Sequence, residues 1–244
     1  MGRLTQFARD QLREQLEEYI ETHHLSANSA LPSERMLCEM FSANRVTLRE
    51  AIKEMKNEGV LYSVHGKGNF IASPKYVEDV KNFISYTAGW ETDGHQVRSK
   101  VIDLKIIEAP KKVALALDIR IGSPVYLLQR VRYLNDIPLF LETAHLPADS
   151  CPGLENFDFS KCSLYKILEN FYHIKLCQQE HTISITHLSS QEAHLLNTQE
   201  NAAAFFSKQV TTDTNKTPME YCISIIRADK YKMKGCLVSP YFSE

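Results

Sequence analysis

Residues 42–55 read SANRVTLREAIKEM, and the architecture of the first third of the chain turns on this stretch. At about 100° per residue, Leu48, Ala51, Ile52 and Met55 recur at i, i+3, i+4 and i+7 and share one side of a helix. That side packs inward. Asn44, Arg45, Thr47 and Arg49 crowd the first turn, and Arg45, Arg49 and Lys53 project on a different face from the apolar stripe. Gly59 ends the helix, because glycine tolerates the left-handed conformation of a C′ residue.

Upstream, LTQFARDQLREQLEEYIETHHL places Leu4, Phe7, Ala8, Leu12, Leu16, Tyr19 and Ile20 in three- and four-residue steps, an amphipathic helix. Pro32 disfavours helix at Leu31, and Ser33 suits the N-cap of a second, short helix starting at Glu34. SAN is then a tight turn into the third helix. Downstream, two β-type runs, Val60 to Val64 and Phe70 to Ala72, flank HGKGN, a hairpin with a glycine-rich tip. Three helices followed by a two-stranded hairpin make a winged helix-turn-helix plan over residues 1–74.

The segment PKYVEDVKN from Pro74 to Asn82 is charged and poor in apolar residues, and residues 75–82 are expected to be a linker. Beyond it, residues 83–244 predict an α+β domain with an antiparallel sheet. SKVIDLKIIEA reads as a strand, KKVALALDI as a short helix, and PVYLLQRVRYLNDIPLFLETAHLP as two long strands around NDIP. SLYKILENFY is a helix, LCQQEHTISITHL a strand, and SSQEAHLLNT a helix capped by Ser189 or Ser190; two or three strands close the chain. The order helix, strand, turn with proline, strand occurs around both Pro138 and Pro218, which suggests an internal duplication.

The bulk properties fit a globular protein. Of 244 residues, 43% are hydrophobic and 24% charged, enough to bury a core, and the formal net charge is −2. A nucleic-acid partner would therefore need a local basic surface. The six cysteines show no CxxC or other zinc-like spacing, so no metal and no cofactor are expected. No export signal and no membrane span are evident, so a cytoplasmic location with reduced thiols is expected.

The polar first turn of the third helix suits a DNA groove. In a helix-turn-helix the amino-terminal end of the second helix of the motif enters the major groove. There an arginine fork bonds guanine O6 and N7, and threonine meets a thymine methyl or a phosphate. Arg35, just inside the second helix, suits phosphate. At the hairpin tip, Gly66 carries no bulk, so His65 and Lys67 can lie in a minor groove or along phosphate. Arg45 and Arg49 also suit an ordinary solvated helix face. From Arg35 to Lys67 there are six Lys/Arg against four Glu, a net of only +2, so affinity must come from placement and from two copies binding together.

The stretch LPSERMLCEMFSANRVTLREAIKEMKNEGVLYSVHGKGNFIA resembles the winged-helix domain of the GntR family of bacterial transcription regulators, through LPSER, the R.T.R.A pattern and G.G.F. The remainder resembles the UTRA effector domain of the HutC branch, through RVRY, IPLFLETAHLP, SLYKIL and PMEYCISIIRADKYKM. The resemblance implies a six-stranded sheet similar to chorismate lyase that binds a small metabolite. It also implies a homodimer on a palindromic double-stranded operator, often a repressor released by its effector. Arg35, Arg45, Thr47, Arg49, Gly66 and Lys67 carry the family's DNA contacts. The alternative is a chorismate-lyase-like enzyme fused to a DNA-binding domain, but no nucleophile elbow, Cys/His constellation or glycine-rich phosphate loop is present.

The effector site follows from charge. Arg130 and Arg132 stand two apart on a strand and so face one side. Two converging guanidiniums need an anion, a role for a phosphate or carboxylate. Glu142 and Glu220, on neighbouring strands, can accept from hydroxyls or an amine; the same arginines also suit plain cross-strand salt bridges to them. Ser163 and the first amides of its helix offer an anion site. By family pattern Thr87, with Ser85 nearby, belongs to a ligand loop, and Tyr165, Arg227 and Tyr231 are further candidates, although Arg227 and Asp229 also suit a structural pair. A phosphosugar, a phosphonate or an organic acid each fits.

Overall fold

The computed structural model describes residues 2–73, 75–79 and 94–234. It divides into two compact units, Met1–Tyr76 and Val77–Glu244.

The first unit holds α1 (Gly2–Thr22), α2 (Glu34–Met40), α3 (Arg45–Asn57) and a hairpin of β1 (Leu61–Val64) and β2 (Gly68–Ile71). α2 starts where Ser33 accepts from Met36 N, and α3 where Asn44 accepts from Thr47 N. Both bonds satisfy amides that have no partner inside the helix. α3 ends as expected, with Gly59 at φ +76° and its N–H bonded to Lys56 O. Leu48, Ala51, Ile52 and Met55 are all buried and meet Leu12 and Leu16 of α1, Leu37 of α2, and Leu61 and Ile71 of the hairpin. Burial of each leucine, isoleucine or methionine side chain among them contributes about 1.5–3 kcal/mol before chain entropy is set against it. An Ala30–Phe70 bridge ties the segment before α2 to the hairpin. The result is the winged helix-turn-helix.

The second unit is built on a six-stranded antiparallel sheet. Its strands are β4 (Val97–Glu108), β5 (Pro124–Leu134), β6 (Ile137–Pro147), β7 (Leu176–His187), β8 (Ala203–Asp213) and β9 (Pro218–Arg227), in the order β4-β5-β6-β9-β8-β7. Each half runs strand, helix, strand, strand. The helices are α4 (Lys111–Leu117) after β4 and α6 (Ser190–Leu195) after β7; α5 (Leu164–Asn170) lies between the halves in sequence. The strand order reads alike from either edge, with the β6–β9 seam at its centre, the topological counterpart of the twofold pattern in the sequence. Asn135 and Asp136, at φ +47° and +65°, form the two-residue link between β5 and β6. Two left-handed residues are what a right-twisted hairpin requires of so short a turn. Ser189, the first of the two candidate caps, opens α6 in a reciprocal capping box with Glu192.

The two sheet faces differ. α4 packs with Val125 and Tyr221, and α6 with Val131, Leu141 and Ile225. The opposite face carries Leu128, Ala144, Leu146 and Cys222, which pack against Leu154, Phe159 and α5 residues Leu164 and Leu168. This second face also bears a polar row, because the register aligns Val101, Arg130, Glu142, Ser224, Ser207 and Ile183 across all six strands. One correction concerns residues 75–82. Part of this segment is β3 (Tyr76–Asp79), paired with β10 (Tyr231–Lys234). Tyr76 and Val77 stand between Lys75 on one side and Glu78 and Asp79 on the other, a charged setting that reads as a connector. Backbone pairing with a strand about 150 residues later is invisible to local pattern.

Candidate nucleic-acid interface and effector pocket

The amino-terminal end of α3 displays Arg45 and Arg49, whose side chains are 69% and 58% exposed. Val46 between them is also exposed. Arg35 is exposed on α2, and its Nε lies 3.8 Å from Glu39 one turn along, a contact worth little at such exposure. His65, Gly66 and Lys67 are exposed at the hairpin tip. There Lys67 N bonds Val64 O at 3.0 Å, and Gly66 holds φ +73° with open space where a Cβ would stand. Glycine is needed at this tip for its backbone conformation, not for lack of room.

Thr47 departs from the expectation. It is only 8% exposed, and its hydroxyl donates to Asn44 Oδ1 at 3.0 Å, beside the cap bond from its own N–H at 2.9 Å. Threonine at the third helical position falls between the polar face and the Leu48 stripe, and the cap claims its hydroxyl. Its place in the site is to fix the start of α3. Val46 takes the outward place, with a branched apolar surface of the kind that packs on a thymine methyl.

Glu34 is the second departure. One carboxylate oxygen, Oε2, accepts from Arg49 Nε at 2.8 Å and Arg45 Nε at 3.4 Å. The hydrogen bond from Arg49 holds this carboxyl below the ordinary carboxylate range. The residue lies in the LPSER stretch, and only the tertiary crossing of α2 and α3 brings it to arginines eleven and fifteen positions on.

In the second unit, Arg130 Nη2 donates to Glu142 Oε2 at 2.9 Å and Arg132 Nη1 to Glu142 Oε1 at 3.2 Å. The three side chains are 7%, 6% and 4% exposed. The cross-strand salt bridge that the sequence allowed is therefore formed, yet the three charges sum to +1. Arg130 also has a buried Nε with no hydrogen-bond partner among the described residues. A pocket of about 240 Å³ opens beside it, lined by Arg98, Ser99, Ser160, Lys161, Ser163 and Lys166 among others. Ser163 is the N-cap of α5 by position but makes no capping bond, which leaves its hydroxyl for the pocket. Arg98 also stacks over the Tyr133 ring at 3.6 Å. Ser160 and Lys161 escaped the sequence reading, although the polar run SKCS before α5 was the signal that could have found them. Nothing local signalled Arg98 and Ser99, which arrive through the pairing of β4 with β5.

Glu220 lies on the same sheet face as Glu142, because Glu142 pairs with Ser224 and four residues along a strand restore the face. Tyr165 O–H donates to Glu220 Oε2 at 2.6 Å, and Thr211 Oγ1 lies 3.4 Å from the same oxygen. Burial pushes the Glu220 carboxyl up, against the lowering effect of the Tyr165 bond, and pushes the Tyr165 hydroxyl well up. These two form a buried cluster of their own outside the lining of the pocket.

Two more candidates fall away from the pocket. Arg227 is on the opposite face, paired with Ala204. It grips Asp229 with Nε and Nη2 at 3.0 and 2.7 Å and Leu196 O with Nη1 at 3.1 Å. The odd–even alternation of β9 puts Arg227 and Glu220 on different sides, so Arg227 is the structural clamp of α6. Tyr231 is fully buried and meets the rings of Phe140 and Phe205 edge-on, so it is core. Arg132 and Glu142 are both absent from the lining, and Glu142 ties Arg132 to Arg130 behind it. Ser85 and Thr87 lie outside the described residues.

Comparison with known proteins adds identity to this geometry. Residues 8–71 match the model of the bacterial regulatory proteins of the gntR family, and residues 92–232 match that of the UTRA domain. The chain is 30% identical over 221 residues to the HTH-type transcriptional repressor NagR of Bacillus subtilis, covering 91% of this chain and 90% of that one. It is 25% identical over 219 residues to the "Probable fructoselysine utilization operon transcriptional repressor" of Escherichia coli K12, covering 90% of each. The crystal structure of PhnF from Mycobacterium smegmatis shares the fold, with TM-score 0.67 at 24% identity over 93% of this chain and 99% of that one. No helix among the described residues is long and apolar enough to cross a membrane. A winged helix with two exposed arginines at the start of α3 and a sheet domain with a pocket beside Arg130 thus belong to one known plan: the chain is a member of the gntR family of bacterial regulatory proteins with a UTRA domain, a DNA-binding transcription regulator and not an enzyme.

Proposed function

We propose that the protein is a homodimeric cytoplasmic repressor of the HutC branch that binds a palindromic operator and changes its DNA affinity on binding a small anion in the Arg130 pocket. Arg45 and Arg49 read bases, Val46 packs on the groove, and Arg35, His65, Gly66 and Lys67 hold the backbone. The buried, unbonded Nε of Arg130 carries the anionic reading, beside a pocket that also holds Lys166 and two cations paired with carboxylates, Arg98 with Asp136 and Lys161 with Asp158. A phosphate or carboxylate there supplies the missing acceptor, while Ser99, Ser160 and Ser163 serve the other oxygens. The names of relatives, one of them for fructoselysine utilization, favour repression and a sugar-derived effector. For the effector to release DNA tenfold, it must bind the DNA-incompetent arrangement about 1.4 kcal/mol better.

The test is a thermal-shift screen of phosphorylated sugars, phosphonates and small organic acids, followed by calorimetry on the compound that stabilises most. Arg130→Ala is expected to weaken that compound at least about tenfold, the loss of a charge-assisted bond or two. Unchanged affinity would return Arg130 to a purely structural salt bridge.

A further inference from the structure

Both bonds to Glu34 are made by Nε, the inner edge of each guanidinium. A guanidinium carries five N–H donors in a rigid fork, so holding Nε fixes its plane and leaves the two terminal nitrogens facing outward. Those terminal nitrogens are what guanine O6 and N7 accept from. The side chains remain largely solvent-exposed, so the fork is held without being covered. Glu34 itself is well fixed. It sits in the first turn of α2, where the helix dipole favours a carboxylate, behind the Ser33 cap, and its side chain is only 26% exposed.

A carboxylate beside a DNA-reading helix repels phosphate. It lowers affinity for every duplex alike, a loss that better discrimination between sequences offsets. We infer that Glu34 is a positioning residue that presets the forks of Arg45 and Arg49 toward base edges, and so governs sequence discrimination without touching a base. Arginine rotamer freedom is thereby restricted before the duplex arrives, and one oxygen shared by two arginines couples them, since the bond to one strengthens when the other is drawn away. The role rests on the assignment of Arg45 and Arg49 as base readers.

The experiment is selection from a randomised duplex library with the full-length protein, followed by titration of the selected duplex and a scrambled duplex of equal length. Glu34→Asp keeps the charge and the helix-end preference but shortens the reach by one methylene; Glu34→Gln keeps the reach and removes the charge. Circular dichroism melts check that both fold, and Arg49→Ala is the control. Both Glu34 variants are expected to lose about tenfold in the ratio of selected to scrambled binding, the scale of one loosened guanine fork. Glu34→Gln should bind scrambled duplex as well as wild type or better. A ratio within about twofold of wild type in both variants, while Arg49→Ala loses it, would overturn the role of Glu34 alone. An equal fall on both duplexes would likewise reduce Glu34 to a structural part. Wild type selecting no sequence at all would remove the base-reading assignment together with this role.

Discussion

Glu142→Gln is the most searching substitution in the second unit. The carboxylate serves Arg130 with one oxygen and Arg132 with the other, at 2.9 and 3.2 Å, and all three side chains are more than nine-tenths buried. Glutamine keeps the volume but replaces one acceptor with a donor. Whichever way the amide turns, one guanidinium faces an N–H, and the charge on the trio rises from +1 to +2. Removing one partner of a buried ion pair costs about 3–5 kcal/mol. At about 2–4 °C per kcal/mol for a domain of this size, the melting temperature falls by about 6–20 °C. Differential scanning calorimetry measures it, with and without sulfate. An anion beside Arg130 restores part of the lost charge balance and stabilises the variant by about 2.7 kcal/mol at a hundred times its Kd, so sulfate should raise the variant more than wild type. A fall of less than about 2 °C would mean that the guanidiniums are solvated after all and refute the charge argument.

Two further predictions bear on the remaining clusters. Arg49→Ala should abolish preference for the selected operator, a loss of about 1–3 kcal/mol of discrimination, while calorimetry shows effector binding unchanged; retained sequence preference in band shifts would remove Arg49 from the interface. Burial raises the carboxyl of Glu220 above its unfolded value, so the folded state holds a proton that the unfolded state releases, and stability falls as pH rises through that range. Glu220→Gln, which can still accept from Tyr165, should raise the melting temperature near pH 8, with the advantage vanishing below the ordinary carboxylate range. A constant difference from pH 4 to 8 would show that ionisation of Glu220 is not involved.

Much of the fold was legible in the sequence, for reasons visible in single residues. The caps at Ser33 and Ser189, the stop at Gly59 and the apolar steps of α3 are decided within one or two turns of chain, and local chemistry suffices for them. The exposure of Arg45 and Arg49 and the glycine-tipped hairpin followed from order and spacing. Thr47 was misread because its angular position lies on the boundary of two faces, and the winner was set by a cap bond from Asn44. Arg227 stood between an effector contact and a structural pair with Asp229, because an arginine near a strand end says nothing of which face it takes until the register is fixed; the pair is what forms.

The sequence alone determined the family and most of the elements, though not β3 or every strand limit, because these are written in neighbours along the chain. Tertiary structure alone decided which charges meet. It brought Glu34 to the two arginines of α3, made one glutamate answer two arginines across β5 and β6, set Arg98 and Ser99 beside Ser163, and paired Tyr76–Asp79 with Tyr231–Lys234. Those contacts join residues ten to about 150 positions apart, and strand register and helix crossing, not local propensity, select them.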